Sequence, residues 1–291
     1  MGKVKSSLAA LAIGACLAAA YRVRAQEGAA TVATTADSGS TLFAQSAARM
    51  LNREFPSEDI SFLLFDARTG ALLASRWPDA GEPIPLGSLV KPFTALAYAQ
   101  HHDYHYPTYV CHGSAGGCWR PRSHGRLDIA SALAFSCNSY FRELAANVNA
   151  GDLQRLAAQL SLDPPESTLA GPSLMGIGDE WLISPLHIAR AYLELARRRE
   201  EPGVREILAG LADSAEWGTG SGVGRALPRT SALVKTGTAV CRHPHRAPGD
   251  GFVVALSPAD SPEFLLLVRV HGVPGAAAAQ TAGRMLARLE P

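Results

Sequence analysis

Apolar residues recur along the chain with two different periods. In residues 41–55, Leu42, Phe43, Ala47, Met50 and Leu51 fall at helical spacing, with Ser40 or Thr41 standing where a cap belongs. Two strand-like runs follow, Ile60-Ser-Phe-Leu-Leu-Phe65 and Ala71-Leu-Leu-Ala-Ser75. Asp66-Ala-Arg-Thr-Gly70 separates them, a short polar connection ending in glycine, which predicts a β-hairpin. Further strands are predicted near residues 232–238, 251–257 and 263–270, completing an antiparallel sheet. The alanine-rich residues 275–289 predict a C-terminal helix that packs on the sheet beside the first helix. Residues 93–215 read as mostly helical. The predicted class is therefore α/β of the α+β type: an antiparallel sheet flanked by helices, with a second, mostly helical subdomain. A cleft between two such parts is where ligand sites commonly form.

The N-terminus has a different character. Lys3 and Lys5 precede an apolar, alanine-rich stretch over residues 8–21, too short for a comfortable transmembrane helix. Residues 1–25 read as a secretory signal peptide, with Val23-Arg24-Ala25 as the cleavage site. Ile13-Gly14-Ala15-Cys16 offers a lipoprotein cleavage box as one alternative, and an uncleaved anchor tethering the protein to a membrane is another. Either way the mature protein is expected outside the cytoplasm, in the periplasm or on the outer face of the cytoplasmic membrane. Residues 26–40 are rich in Ala, Thr, Gly and Ser and read as a flexible linker. Residues 41–291 are long enough for one large domain or two packed subdomains. The net charge of +1 gives no electrostatic argument for nucleic acid, and 47% hydrophobic content is that of an ordinary globular protein.

Three short motifs carry candidate chemistry. Ser88 stands three residues before Lys91, just ahead of the helical run Phe93, Leu96, Ala97 and Ala99. Positions i and i+3 share a helix face, so both side chains reach one point in space. A serine hydroxyl needs a neighbouring base to become a nucleophile. A lysine is such a base when desolvation and nearby positive charge lower its pKa. Ser136-Cys137-Asn138 follows the helical pattern Leu127, Ile129, Ala130, Leu133 and Ala134. Lys235-Thr236-Gly237-Thr238 follows the strand-like Ala232-Leu233-Val234.

The order Ser-x-x-Lys, Ser-x-Asn, Lys-Thr-Gly resembles the signature of penicillin-binding proteins and serine β-lactamases. The flanks are similar too: Ala132-Leu-Ala-Phe-Ser-Cys-Asn-Ser-Tyr-Phe141, the segment from Gly176 to Tyr192, and Gly218-Thr219-Gly220 resemble those of penicillin-binding transpeptidase domains. The resemblance runs from Ile60 to Gly272. It resembles an isolated transpeptidase domain, because little chain precedes the first predicted strand.

The resemblance implies roles for the motif residues. Ser88 attacks a carbonyl, either the D-Ala-D-Ala amide of a peptidoglycan stem peptide or the amide of a β-lactam, with β-lactams acting as covalent inhibitors. Lys91 is the base. Ser136 relays the proton toward the leaving nitrogen, and Asn138 orients the substrate amide and Lys91. Lys235 lowers the Lys91 pKa and draws the substrate carboxylate, to which Thr236 and Thr238 offer hydroxyls. Gly237 lets the substrate backbone lie along the strand edge. The backbone N–H groups of Ser88 and Thr238 form an oxyanion hole. No cofactor is implied.

His101, His102, His105, His112, Cys111 and Cys118 fall between the first two motifs. Their spacing matches no standard zinc pattern and the implied chemistry uses no metal, so no metal is expected. Cys111 and Cys118 enclose a glycine-rich loop and, in an exported protein, are expected to form a disulfide. Cys137 resembles the filler residue of this motif in relatives, Cys241 has no evident partner, and His243 and His245 read as part of a polar loop. Glu166 resembles in position the deacylating glutamate of class A β-lactamases but lacks its surrounding pattern, and a structural role is expected.

Three function classes follow: a cell-wall transpeptidase or carboxypeptidase, a class D-like serine β-lactamase, and a non-catalytic β-lactam sensor or scaffold. The first agrees best with the intact motif set. Class D enzymes typically carry an aliphatic residue where Asn138 stands.

Overall fold

The computed structural model describes residues 38–241 and 249–290. The signal segment, most of the linker stretch, Cys16, His243 and His245 lie outside the described residues. Helix α1 (Ser38–Glu54) begins inside the stretch expected as linker. It leads into the predicted hairpin, strands β1 (Ile60–Asp66) and β2 (Leu72–Arg76), closed where the Asp66 carboxylate accepts from the backbone N–H groups of Arg68 and Thr69.

The described residues from Phe43 onward form one unit around a five-stranded antiparallel sheet. Its last three strands are β7 (Leu233–Ala239), β8 (Asp250–Ser257) and β9 (Phe264–His271), and the strand order is β2-β1-β9-β8-β7. The hairpin thus pairs with the strand farthest from it in sequence, Leu63 opposite Leu267. Strand β8 is buried along its whole length, as expected for an inner strand covered on both faces.

The period of two sorts the strand side chains between two cores. Leu63, Phe65, Phe252, Val254, Leu265 and Leu267 face the helices of the middle region. Phe62, Leu64, Val253, Ala255, Leu266 and Val268 face the opposite side, against α1 and the C-terminal helix α9 (Gly275–Leu286). Alanines on α9, namely Ala278, Ala279 and Ala282, let that helix lie close on the sheet.

The middle region is mostly helical: α2 (Lys91–Gln100), α3 (Ile129–Ala134), α4 (Asn138–Ala146), α5 (Ala150–Leu160), α6 (Pro185–Arg197) and α7 (Val204–Glu216), with the one-turn α8 (Ser221–Gly224) after it. It also holds two small antiparallel pairs that the periodicity did not predict. β3 (Ile84–Pro85) pairs with β6 (Leu182–Ile183), and β4 (Tyr109–Cys111) pairs with β5 (Gly125–Leu127). Strands this short carry too few residues for a period to be legible. Helix starts follow the local chemistry: Asp128 and Ser131 form a reciprocal capping box on α3, Asn149 and Asp152 one on α5, and Ser184 caps α6. No helix among the described residues is long and apolar enough to cross a membrane.

Leu267 sits at the centre of β9 with no exposure to solvent. Leu267→Ala is expected to destabilise the fold by about 2–5 kcal/mol, because surrounding strands held on both sides close poorly on a cavity. Urea unfolding followed by circular dichroism measures this, and an unchanged midpoint would contradict the packing described.

Candidate active site

The three motifs come from three separate parts of the chain and meet beside β7, at the edge of the sheet. Ser88 lies on a 3-10 turn (Gly87–Val90), and the Lys91 backbone N–H closes that turn on the Ser88 carbonyl. Lys91 then opens α2. Serine and lysine are thus held one turn apart, as their spacing predicts. The turn and α2 are pinned from outside as well. The Tyr192 hydroxyl donates to the Leu89 carbonyl at 2.7 Å, and the Thr94 hydroxyl donates to the Leu174 carbonyl at 2.5 Å.

The second motif occupies the turn between α3 and α4. Ser136 N–H donates to the Leu133 carbonyl and Cys137 N–H to the Ala132 carbonyl, the pair of bonds that ends a helix in a Schellman motif. The left-handed position of that motif usually holds glycine. Here Ser136 holds it, at φ +52. A side chain in this region costs on the order of 1 kcal/mol. The strain aims the Ser136 hydroxyl at two lysines, and glycine would remove this one acceptor that both amines share.

Both lysines are fully buried. Lys91 Nζ donates to the Ser136 carbonyl at 2.8 Å, to Asn138 Oδ1 at 2.6 Å and to Ser136 Oγ at 3.3 Å. Lys235 Nζ donates to Ser136 Oγ at 2.9 Å and to the Thr236 carbonyl at 2.9 Å. A hydroxyl has two acceptor sites and one donor. With both acceptor sites of Ser136 facing lysines, its own proton is directed elsewhere. Burial pulls the Lys91 ammonium down to about 7. Removal from water is the leading cause, as the sequence reading allowed beside nearby positive charge, and the thiols of Cys137 and Cys118 act in the opposite direction. Lys235 is itself lowered, by burial first and by the Lys91 charge second.

Ser88, Ser136, Asn138, Thr236, Gly237 and Thr238 line a single cleft of about 370 Å³. Residues outside the three motifs line it too, among them Trp119, Ile177, Thr219 and Val240. Thr219 accepts a hydrogen bond from Thr236 Oγ1 at 2.7 Å and donates to the Ala134 carbonyl at 3.3 Å, linking the second and third motifs. Its sequence signal was the flanking Gly218-Thr219-Gly220. Trp119 had none, because a loop residue carries no period. Thr238 Oγ1 accepts from the Gly275 N–H at 2.9 Å, at the start of α9.

Gly237 has a packing role beyond the one expected. A Cβ there would come within 2.5 Å of the Leu86 carbonyl oxygen, so the glycine lets the Ser88 turn approach β7. Gly87 makes the reciprocal approach: at φ +59, a Cβ on it would meet the Thr238 carbonyl oxygen at 2.2 Å. Backbone contact between this turn and β7 brings Ser88 and Thr238 into the same corner of the cleft.

The expected disulfide is absent: Cys111 and Cys118 are both free thiols. Their sulfurs converge with Cys137 Sγ and His124 Nδ1 on the same point, all four atoms lying within 4.8 Å of one another. The other histidines of this region do not join them. His101 pairs with Asp152 at 2.9 Å, His102 stacks on Tyr98, and His105 and His112 are exposed. Cys241 has partners after all: its thiol lies 3.0 Å from Asp250 Oδ1, which also faces His271 Nδ1 at 2.5 Å. Glu166 is exposed and does not line the cleft.

The family profile described as penicillin binding protein transpeptidase domain matches residues 60–289. The fold is similar to that of PBP2 of Pseudomonas aeruginosa, solved in complex with WCK 5153, with a TM-score of 0.68 and 15% identity over 85% of this chain and 73% of that one. It is similar to the D,D-transpeptidase domain of a peptidoglycan glycosyltransferase from Eggerthella lenta, with a TM-score of 0.65 and 17% identity over 84% and 80% of the two chains. It is also similar to the transpeptidase domain of penicillin-binding protein 3 of Burkholderia pseudomallei, with a TM-score of 0.64 and 17% identity over 87% and 92%. No curated protein matches the chain in sequence. With its profile match spanning both ends of the sheet and all three motifs, the chain belongs to the penicillin-binding protein transpeptidase domain family.

Proposed function

We propose that this protein is a penicillin-binding serine acyltransferase that acts on the D-Ala-D-Ala end of peptidoglycan stem peptides through a Ser88 acyl-enzyme. The observation that carries this reading is the Ser136 hydroxyl, held between two buried lysines in the cleft that Ser88 lines. At neutral pH a large share of Lys91 is a free amine. Ser88 Oγ adds to the penultimate D-alanine carbonyl and its proton passes to Lys91. Ser136 hands a proton to the nitrogen of the departing D-alanine and recovers one from the lysine side. The C–N bond breaks and the ester to Ser88 remains. An amine acceptor then forms a new amide, or water releases the acid, and Ser88 regains its proton. The oxyanion is held by the N–H groups of Ser88 and Thr238, a pair worth a few kcal/mol per donor.

The substrate carboxylate belongs near Lys235, Thr236 and Thr238. A carboxylate beside Lys235 favours the charged form of that buried amine and offsets its desolvation. Strand β7 is an edge strand, so a substrate backbone has room to lie along it. Peptidoglycan lies outside the cytoplasmic membrane, which agrees with the export signal expected over residues 1–25.

The β-lactamase alternative needs a base that activates water on the acyl-enzyme. Glu166 is exposed and away from the cleft lining. Lys91 is engaged by the Asn138 amide oxygen at 2.6 Å, in a polar setting rather than the apolar one that suits a carboxylated lysine. Slow deacylation follows.

Fluorescent penicillin is expected to label the purified protein and to leave Ser88→Ala unlabelled; undiminished labelling of the variant would refute the assignment. The penicilloyl-enzyme is expected to last minutes or more. Turnover of many chromogenic cephalosporin molecules per second would favour the β-lactamase reading instead. Gly176 tests the geometry from behind. At φ +77, a Cβ on it would sit 1.8 Å from the Gly87 carbonyl oxygen and push the Ser88 turn. Displacement of about 1 Å at a reacting group costs on the order of 100-fold in rate. Gly176→Ala is therefore expected to acylate about 100-fold more slowly while keeping a folded circular dichroism spectrum. Acylation at the parent rate would contradict the contact.

A further inference from the structure

We propose that Cys111, Cys118, His124 and Cys137 form a closed, four-coordinate zinc site directly behind the catalytic turn. Three sulfurs and one imidazole nitrogen lie within 4.8 Å of one another. All three cysteines are buried. The three cysteines and His124 come from four separate segments: the end of β4, the loop after the 3-10 turn Gly113–Gly116, the segment entering β5, and the turn between α3 and α4. Convergence of four metal-ligating side chains from four segments has no explanation in apolar packing alone.

The distances agree with a tetrahedron. Zinc binds sulfur at about 2.3 Å and imidazole nitrogen at about 2.0–2.1 Å, so tetrahedral edges measure about 3.8 Å between two sulfurs and about 3.5 Å between sulfur and nitrogen. Cys118 Sγ lies 3.8 Å from Cys137 Sγ. His124 Nδ1 lies 3.4 Å from Cys111 Sγ and 3.6 Å from Cys118 Sγ. Three edges therefore already have the lengths that one central ion would give them. A disulfide would require two sulfurs at about 2.05 Å and would leave the other two donors aimed at nothing.

The surroundings suit a metal. The Gly113 N–H donates to Cys111 Sγ at 3.3 Å, a contact that supports a thiolate. The His124 ring stacks on Phe135, with centroids 4.6 Å apart, and Trp119 covers it from another side at 6.0 Å. Its Nε2 is buried without a hydrogen-bond partner among the described residues, so the ring is oriented by what Nδ1 faces. Three thiolates and an imidazole are soft-to-borderline donors that select zinc over magnesium or calcium. Four protein donors leave no open position, so the site is structural and takes no part in acyl transfer.

Its location gives it a purpose. Cys137 lies between Ser136 and Asn138, both of which hold Lys91. A zinc ion would fasten this left-handed turn to the β4–β5 hairpin and support the strained Ser136 backbone. The sequence-based expectations of no metal and a Cys111–Cys118 disulfide are both replaced. The pattern escaped reading because His124 is isolated in the sequence and Cys137 is hidden inside another motif.

The test uses the whole protein, purified without chelator or oxidant, incubated with excess zinc and desalted. Mass spectrometry of metals is expected to give about one zinc per chain. Titration of the native protein with an organomercurial is expected to release that zinc as the thiols react. Exchange with cobalt is expected to give the intense visible absorption of a tetrahedral ion with sulfur-to-cobalt charge transfer. These three readouts need no variant, so a folding failure does not confuse them. His124→Ala and Cys118→Ser are expected to lose tight zinc binding, and their circular dichroism reports whether they fold. Zinc at background in the wild-type protein, a weakly absorbing octahedral cobalt spectrum, or unreduced peptides with Cys111 linked to Cys118 would each overturn the proposal. Penicillin labelling is measured on the same samples, so loss of the zinc site and loss of the acyltransferase reading are separately visible.

Discussion

Two fully buried lysine amines sharing one serine hydroxyl are the constraint on which the rest of this structure depends. Taking an ammonium out of water costs several kcal/mol unless hydrogen bonds and neighbouring charge offset it. Here the offset comes from the Ser136 carbonyl and hydroxyl, Asn138 Oδ1 and the Thr236 carbonyl. These acceptors lie on three elements: the α3–α4 turn, α4 and β7. A shift of any one leaves a buried donor without a partner. The docking of sheet against helices is thus set by hydrogen-bond tolerances at the cleft, and the apolar cores on either side of the sheet supply the energy that holds it.

Glycine and strain sit where that docking is tightest. The Ser88 turn touches β7 through Gly87 and Gly237, with the carbonyls of Thr238 and Leu86 occupying the space where Cβ atoms would be. Behind it, Gly176 fits against the Gly87 carbonyl. Ser136 takes the opposite course and keeps its side chain in a left-handed position that favours glycine. Such strain persists only when the surroundings over-determine it. The two Schellman bonds, both lysines and the cysteine next in sequence all bear on that one turn.

Where local chemistry acts alone, the sequence was legible. The β1–β2 hairpin, strands β7 to β9, the terminal helices and the relation of Ser88 to Lys91 follow from period, turn residues and spacing. These features depend on neighbours within a few positions, and their residues carry that information themselves. The short pairs β3–β6 and β4–β5 were not legible, since two or three residues have no period.

Side-chain type and local spacing by themselves determined the sheet strands, the helix faces, the three motifs and the family those motifs resemble. Only the tertiary structure decided that Lys91 and Lys235 are both fully buried around one hydroxyl, that Thr219 joins the second motif to the third, and that Cys111 and Cys118 meet His124 and Cys137 instead of each other. The physical reason is common to all three. Desolvation and ligand convergence depend on which segments pack together, and packing between distant segments leaves no periodic mark on the chain.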